Sequence, residues 1–386
     1  MSQFIDKYIK VVSNWTDAPE EYHYGVSLSI LGAAFAGKVW LPYAQSTTNL
    51  WVLLLGSAEE DRKSTCIRYG KRIISSCVPE RVASDPGSYE ALIKLLSGPL
   101  DPKTQTSPAQ KLLIYSEFQS LMDRFTLRYA APLQATLNDL YDWSSVPYVR
   151  ELMNRTFTLN GTAISLLGGC TPEHIEKRAN EEFWRGGFFS RILPIIAHKT
   201  RFLDEENIVP AEYKDLVTSF GNVVASVTNP IELEWTPKAH SIYSTWVHGN
   251  ADRQVKSHPI IRSLMGRIAL NCKKIAAIRA LDVSGCNTHH VGSQALDWTI
   301  NFVEQLVVGI ETLPTSIAFT DDMRKKRSIV NLLKSKGGTL AYSTLLRNSN
   351  MKARELQEFL ETLMAEGTAT REGKNVFLQK EKEAGA

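Results

Sequence analysis

Three consecutive residues, Lys63-Ser64-Thr65, carry the chemistry that stands out first. They follow an apolar run ending in glycine, Asn49-Leu50-Trp51-Val52-Leu53-Leu54-Leu55-Gly56. Between the two lies a polar stretch, Ser57-Ala58-Glu59-Glu60-Asp61-Arg62. A buried strand, a polar loop and a Lys-Ser-Thr opening a helix (expected over 66–75) form the layout of a phosphate-binding loop. Backbone N–H groups and the helix N-terminus hold phosphates, a lysine reaches the terminal ones, and a neighbouring hydroxyl holds Mg²⁺. On this pattern Lys63 is the phosphate lysine, Ser64 the magnesium ligand and Thr65 a spare hydroxyl, with Gly56 and Arg62 framing the loop around ATP. The usual pattern has glycine six residues before the lysine and again just before it. Here Ser57 and Arg62 stand there, and Glu59, Glu60 and Asp61 add three carboxylates whose charge opposes a triphosphate.

Further pieces follow in order. Lys111–Tyr115 is a second apolar strand candidate, and it leads into Ser116-Glu117. Glu117 sits where a base that orients the attacking water belongs, and Ser116 where a carboxylate usually organises hydrated Mg²⁺. A third run, Ile164–Gly168, leads into Gly169-Cys170-Thr171, with Thr171 placed to sense the terminal phosphate. Arg185-Gly186-Gly187-Phe188-Phe189-Ser190-Arg191 precedes a fourth run, Ile192–Ala197, so Arg191 fits an arginine finger presented to a neighbouring subunit. Arg267 is a candidate nucleotide contact from a helical lid. Each has a plainer alternative. Glu117 could cap a helix, Arg191 could be an ion-pair residue, Thr171 before Pro172 could be an N-cap, and Arg267 could be structural.

Candidate DNA contacts lie elsewhere. Residues 143–155 interleave Trp143, Tyr148, Arg150 and Arg155, a mixture suited to base stacking and phosphate binding in a pore hairpin, or to an exposed connection. Near the C-terminus, Lys352 and Arg354 open a presumed recognition helix, and Arg371 and Lys374 sit in a presumed wing. His289-His290 do not make a metal pair, because adjacent strand residues face opposite ways and no acidic partner has ligand spacing.

These residues need an α/β scaffold. Four short apolar runs separated by helical segments between Trp51 and Lys199 predict a mostly parallel sheet. Residues 1–48 read as a helical N-terminal region with a strand over Lys38–Tyr43, 49–200 as the ATPase core, and 201–319 as a helical lid and linker. Helices are expected over Arg262–Asp282 and Gln294–Leu313, with Pro314 ending the second and Thr315–Thr320 as linker. Residues 320–386 carry 13 Lys/Arg against 9 Asp/Glu, so the chain's positive excess of +3 sits there. Helices over Arg324–Ser335, Tyr342–Arg347 and Lys352–Glu366, then a hairpin around Arg371–Asn375, predict a winged helix-turn-helix, either a DNA reader or a docking module. Five scattered cysteines without a Cys-x-x-Cys indicate neither zinc nor a disulfide framework. No apolar run is long enough to span a bilayer, and the cytoplasm is the simplest address.

Taken together, these stretches resemble the helicase-type P-loop domain (RecA- or AAA+-like) of phage, plasmid and mobile-element replication proteins. The likeness rests on the Asn-Leu-strand-Gly entry, the Arg-Lys-Ser-Thr loop end, Ser116-Glu117-Phe118, the Leu-Leu-Gly-Gly-Cys-Thr-Pro stretch and Gly-Phe-Phe-Ser-Arg. The last also resembles the finger region of MCM-like helicases. The resemblance covers about residues 4–313. It implies a hexameric ring that turns over ATP between subunits and moves on single-stranded DNA. Single-stranded or double-stranded DNA is the expected partner. No primase signature is present, so a separate primase or other replication protein would be a partner. The rival expectation is a DNA-binding initiator, helicase loader or transposition regulator without robust ATP turnover.

Overall fold

The apolar runs of the first half become the strands of one parallel sheet. The computed structural model describes residues 4–42, 46–57, 60–83, 85–99, 107–127, 131–144, 146–152, 155–178, 187–284, 288–316 and 321–379. Tyr43, Gln45, Ala58, Glu59, Arg185-Gly186, residues 317–320 of the expected linker and residues 380–386 lie outside them. The chain divides into two units, Met1–Pro314 and Thr315–Ala386.

In the first unit, α1 (Phe4–Trp15) and α2 (Glu20–Phe35) are separated at Pro19. The strand expected over Lys38–Tyr43 shrinks to β1 (Val39–Trp40), which lies outside the main sheet. Then come β2 (Trp51–Leu55), α3 (Lys63–Cys77), β3 (Val82–Ala83), α4 (Tyr89–Leu96), β4 (Leu112–Tyr115), α5 (Gln119–Phe125) and α6 (Ala131–Tyr141). A hairpin, β5 (Tyr148–Leu152) and β6 (Arg155–Leu159), precedes β7 (Ser165–Cys170), α7 (Pro172–Arg178), α8 (Gly187–Ser190) and β8 (Ile192–Ile196).

The sheet order is β3-β4-β7-β2-β8, with every pairing parallel. β2, β4 and β7 are buried along their whole length, which is why they read as continuous apolar runs rather than alternating ones. Pro194 is tolerated in β8 because β8 pairs on one side only, with β2. α2 is buried almost all round. Gly25 lets it lie close on the sheet: a Cβ there would fall 2.2 Å from Ile195 Cδ1. Gly70 does the same between α3 and α2, where a Cβ would fall 2.3 Å from Val26 Cγ1.

His23 of α2 is fully buried, with Nε2 3.8 Å from Cys66 Sγ and Nδ1 without a hydrogen-bond partner. Burial, helped by the charge of Arg201, pushes its imidazole down to about 3. A depressed folded value means the neutral ring contributes stability above about pH 6.5, and that stability is lost as pH falls toward 3. Each pH unit in that window is worth about 1.4 kcal/mol. Replacing His23 by leucine is expected to remove this dependence. The difference in urea-unfolding free energy between variant and wild type should grow steadily from pH 6.5 to 4.5. A constant difference would contradict it.

The rest of this unit is mainly helical: α9 (Pro210–Ala225), α10 (Pro237–Lys256), α11 (Arg262–Ser284) and α12 (Ser293–Ser316). Short strands β9 (Ile231–Glu232), β10 (Glu234–Trp235) and β11 (His290–Val291) form two parallel pairs, β1 with β9 and β10 with β11. Pro314 does not end α12, which runs two residues further. A proline in the last turn removes one bond close to an end that frays anyway. The Asp282 carboxylate of α11 accepts the N–H groups of Phe4 (2.7 Å) and Ile5, capping α1. No helix among the described residues is long and apolar enough to cross a membrane.

The second unit has α13 (Asp321–Ser335), β12 (Thr339–Ala341), α14 (Tyr342–Ser349), α15 (Ala353–Ala365), β13 (Ala369–Glu372) and β14 (Asn375–Leu378). Its three-stranded antiparallel sheet has the order β12-β14-β13. Ile329, Leu333, Leu345, Leu356, Leu360 and Leu363 close its core. Gly337 and Gly338, at φ +77° and +85°, turn the chain out of α13, and Gly373, at φ +58°, turns it between β13 and β14. β12 has no counterpart in the sequence expectation.

Candidate functional site

In a parallel sheet, ligands gather beyond the carboxyl ends of the strands. At that edge the chain leaves β2 through Gly56 and Ser57 and enters α3 at Lys63. The exits of β4 (Ser116-Glu117) and β7 (Thr171) lie at the same edge. Gly169 sets the spacing: a Cβ there would stand 3.2 Å from the Ser116 carbonyl oxygen and 3.4 Å from Lys63 Cβ. Lys63 and Ser116 therefore approach across β7, held by a residue without a side chain.

Lys63 is buried, and its ammonium donates to the carbonyls of Gly56 (2.9 Å) and Ser57. Burial pulls its pKa below the usual lysine value. The charges of Asp61, Cys170, Glu117 and Glu173 act in the opposite sense. No side chain caps α3, so the N–H groups of its first turn are not taken by a cap. Ser64, Ser116 and Glu117 are exposed. Thr65 turns the other way and donates to Glu206 (3.2 Å), which also receives Arg68 and Tyr69. The Thr171 hydroxyl accepts the His174 N–H at 3.3 Å, the N-cap geometry expected ahead of Pro172.

Asp61 is the residue whose role was least visible beforehand. Its carboxylate is 2% exposed and does not face solvent. Oδ2 accepts the Ser57 N–H (2.6 Å) and Oδ1 the Lys199 N–H (2.9 Å), with His198 Nδ1 at 3.6 Å. It closes the loop on itself and ties it to the chain leaving β8. Gly56 makes room for this, since a Cβ would fall 2.5 Å from Asp61 Oδ2 and 2.2 Å from the Tyr22 hydroxyl. Arg62 adopts a left-handed backbone (φ +53°, ψ +27°), which costs a non-glycine residue about 1–2 kcal/mol. Its Nε is paired with Asp17 at 3.2 Å, and Asp17 also receives Lys199 Nζ at 2.9 Å. Side chains thus hold a loop shape that glycines usually permit.

Arg191 and Arg267 lie at the other end of the sheet. Arg191 precedes β8, whose first residue pairs with Trp51 at the start of β2. Five strand residues, roughly 16 Å, separate that level from the Lys63 edge. Arg191 donates to Gly187 O (2.7 Å) and Asp142 Oδ2 (2.8 Å), and Arg267 pairs with Asp142 Oδ1 at 3.6 Å. Fully buried Lys274 stands 4.1 Å above the neighbouring Tyr141 ring and donates to both Asn49 oxygens (2.7 and 2.9 Å). Burial, with the charges of Arg267 and Arg191 against that of Asp142, pushes Lys274 down to about 7. Two arginines thus share one carboxylate, whose charge also acts on Lys274.

The β5–β6 hairpin is largely exposed. Tyr148, Arg150 and Leu152 share one face with Arg155 and Phe157, and the Arg150 guanidinium stacks 4.9 Å above the Tyr148 ring. In the second unit, Lys352 and Arg354 stand at the start of α15, Arg371 on β13 and Lys374 in the β13–β14 turn, all exposed. Among the described residues, no group of three or more His, Cys, Asp or Glu side chains could hold a metal ion.

Glu173, Asp17 and Glu206 were not singled out in the sequence. Glu173 sits two residues beyond Thr171 and acts on Lys63, and its only sequence signal is that position. No protein-family model and no curated protein matches the chain.

Proposed function

We propose that this chain is a P-loop ATPase that works on DNA as a ring, a translocase or helicase in the replication of a mobile element. Its second unit serves as a winged helix. The observation that carries this is the place of Lys63: first residue of a helix with no side-chain cap, at the carboxyl end of the interior strand β2, with Glu117 one strand beyond β7. A phosphate chain would meet the Lys63 ammonium and the α3 N–H groups. Glu117 would orient a water. Ser64 and Ser116 would help hold Mg²⁺, which would supply positive charge against that developing on the phosphate. Ser64 and Ser116, both exposed hydroxyls beside Lys63, fit a hydrated ion held mainly through the nucleotide.

Arg191 sits too far from Lys63 to serve its own loop, so its role would be toward a neighbouring subunit, with Arg267 beside it. The exposed face bearing Tyr148, Arg150 and Arg155 would contact single-stranded DNA. One observation favours the second reading, a DNA-binding initiator, loader or regulator with weak turnover: Ser116 replaces the carboxylate that usually organises the metal.

The test is complementation. Lys63→Ala and Arg191→Ala are each expected to abolish ATP turnover, since an arginine finger is worth about 10³-fold or more. Mixed together, they should regain part of it, because some interfaces then pair an intact loop with an intact arginine. Full loss in each variant with no recovery on mixing would overturn the shared-site reading.

A further inference from the structure

Tyr342 is a small structural hub of the second unit. Its N–H donates to the Lys374 carbonyl (2.8 Å) and its hydroxyl to the Ala353 carbonyl (3.1 Å). The Arg371 guanidinium lies 4.5 Å above its ring and also donates to Gln357 of α15 at 3.0 Å. One tyrosine therefore joins the β13–β14 turn to the first turn of α15. Lys352 and Arg354 flank Ala353, Arg371 covers the ring and Lys374 supplies the carbonyl, so four exposed cations lie on the segments that Tyr342 joins, with Glu355 of the same helix turn drawn to Lys325.

The remainder of α15 has the opposite character. Positions 354, 358, 361 and 365 follow one another along the outward stripe, at the i+3 and i+4 spacing of one helix face, and are all exposed. They are Arg354, Glu358, Glu361 and Ala365. Arg354 is already paired with Glu358 at 3.1 Å, and Glu361 accepts from Gln357 at 2.8 Å. Glu366 follows at the helix end, paired with Lys326. A helix laid along a DNA groove runs between two rows of phosphates, and this stripe would bring two carboxylates to them.

We infer that the second unit grips duplex DNA by its phosphate backbone through the four cations on the segments that Tyr342 joins. α15 meets the duplex end-on at its first turn and does not read bases along its length. Glu372 does not oppose this, because it alternates with Arg371 on β13 and faces the other side of the strand. Binding is then independent of sequence and strongly dependent on salt. This rests on the DNA-handling reading above.

The test uses the full chain and fluorescence anisotropy with short labelled duplexes of two unrelated sequences, titrated across a range of salt. The two duplexes should bind alike. Lys374→Ala and Arg371→Ala should each weaken both equally and make the slope of log K against log salt shallower by about one. Lys374 lies in an exposed turn, so its replacement leaves the core untouched. A preference for one duplex that vanishes in Arg354→Ala or Glu361→Gln would show base reading and overturn the inference. Unchanged slopes in both variants, or no duplex binding by a chain that still turns over ATP, would overturn it too. Duplex binding with these slopes but without ATP turnover would instead sink the nucleotide reading and leave the duplex contact standing.

Discussion

Lys63→Ala is expected to weaken ATP binding by about 100-fold, the factor for losing charge-assisted hydrogen bonds worth up to ~3 kcal/mol. The unfolding midpoint should move little. The lost bonds to the Gly56 and Ser57 carbonyls are offset by release of an ammonium that burial already penalises. Glu117→Gln should behave in the opposite way. It stands exposed at the end of β4 and touches no core, so ATP should still bind while turnover is lost. Titration with a fluorescent ATP analogue, beside a turnover assay, separates the two. Equal loss of binding in both variants would contradict the roles given to them.

Asp61→Ala is expected to give the largest stability change at the site. It strips the acceptor from two part-buried N–H groups, those of Ser57 and Lys199. About 3 kcal/mol of unfolding free energy should be lost, measured by urea denaturation. Nucleotide affinity should fall with it, because the loop that positions Lys63 would open. Asp61→Asn sharpens the test. It removes the charge but turns an amide N–H toward a group that is itself a donor. If Asp61 acted chiefly as a like charge against the triphosphate, Asp61→Asn would bind ATP more tightly than wild type. If it is the fastener of the loop, Asp61→Asn binds ATP more weakly, and that is the outcome expected here.

This residue also marks where sequence stops being informative. In the run Glu59-Glu60-Asp61, three carboxylates look alike, and all three read as repulsive. The direction of Asp61 is set by Lys199, 138 positions away, and by room that only Gly56 provides. Likewise, Arg191 gave no hint of Asp142, 49 residues earlier, as its partner. Four of the five strands of the main sheet were legible for the opposite reason, while the two-residue edge strand β3 had no counterpart in the sequence expectation. β2, β4, β7 and β8 are short apolar runs covered on both faces, and that burial is written directly in their composition. The β5–β6 hairpin is mostly exposed and shows no burial alternation, so only its aromatic and basic residues drew attention. β12 is three half-exposed residues, too short to leave a pattern.

A residue's letter also does not reveal the backbone it takes. Arg62 is the clearest case: a letter that departs from the usual glycine occupies a left-handed backbone that glycine would adopt freely. Asp17, more than forty residues earlier, supplies the ion pair that steadies it.

The measurement that bears most directly on the central claim is ATP hydrolysis by the full chain, with and without single-stranded DNA, beside Lys63→Ala. The expected result is turnover that DNA stimulates and that vanishes in the variant. No turnover by the wild type under either condition, or turnover that survives Lys63→Ala, would contradict the claim that this loop is the seat of a DNA-dependent ATPase.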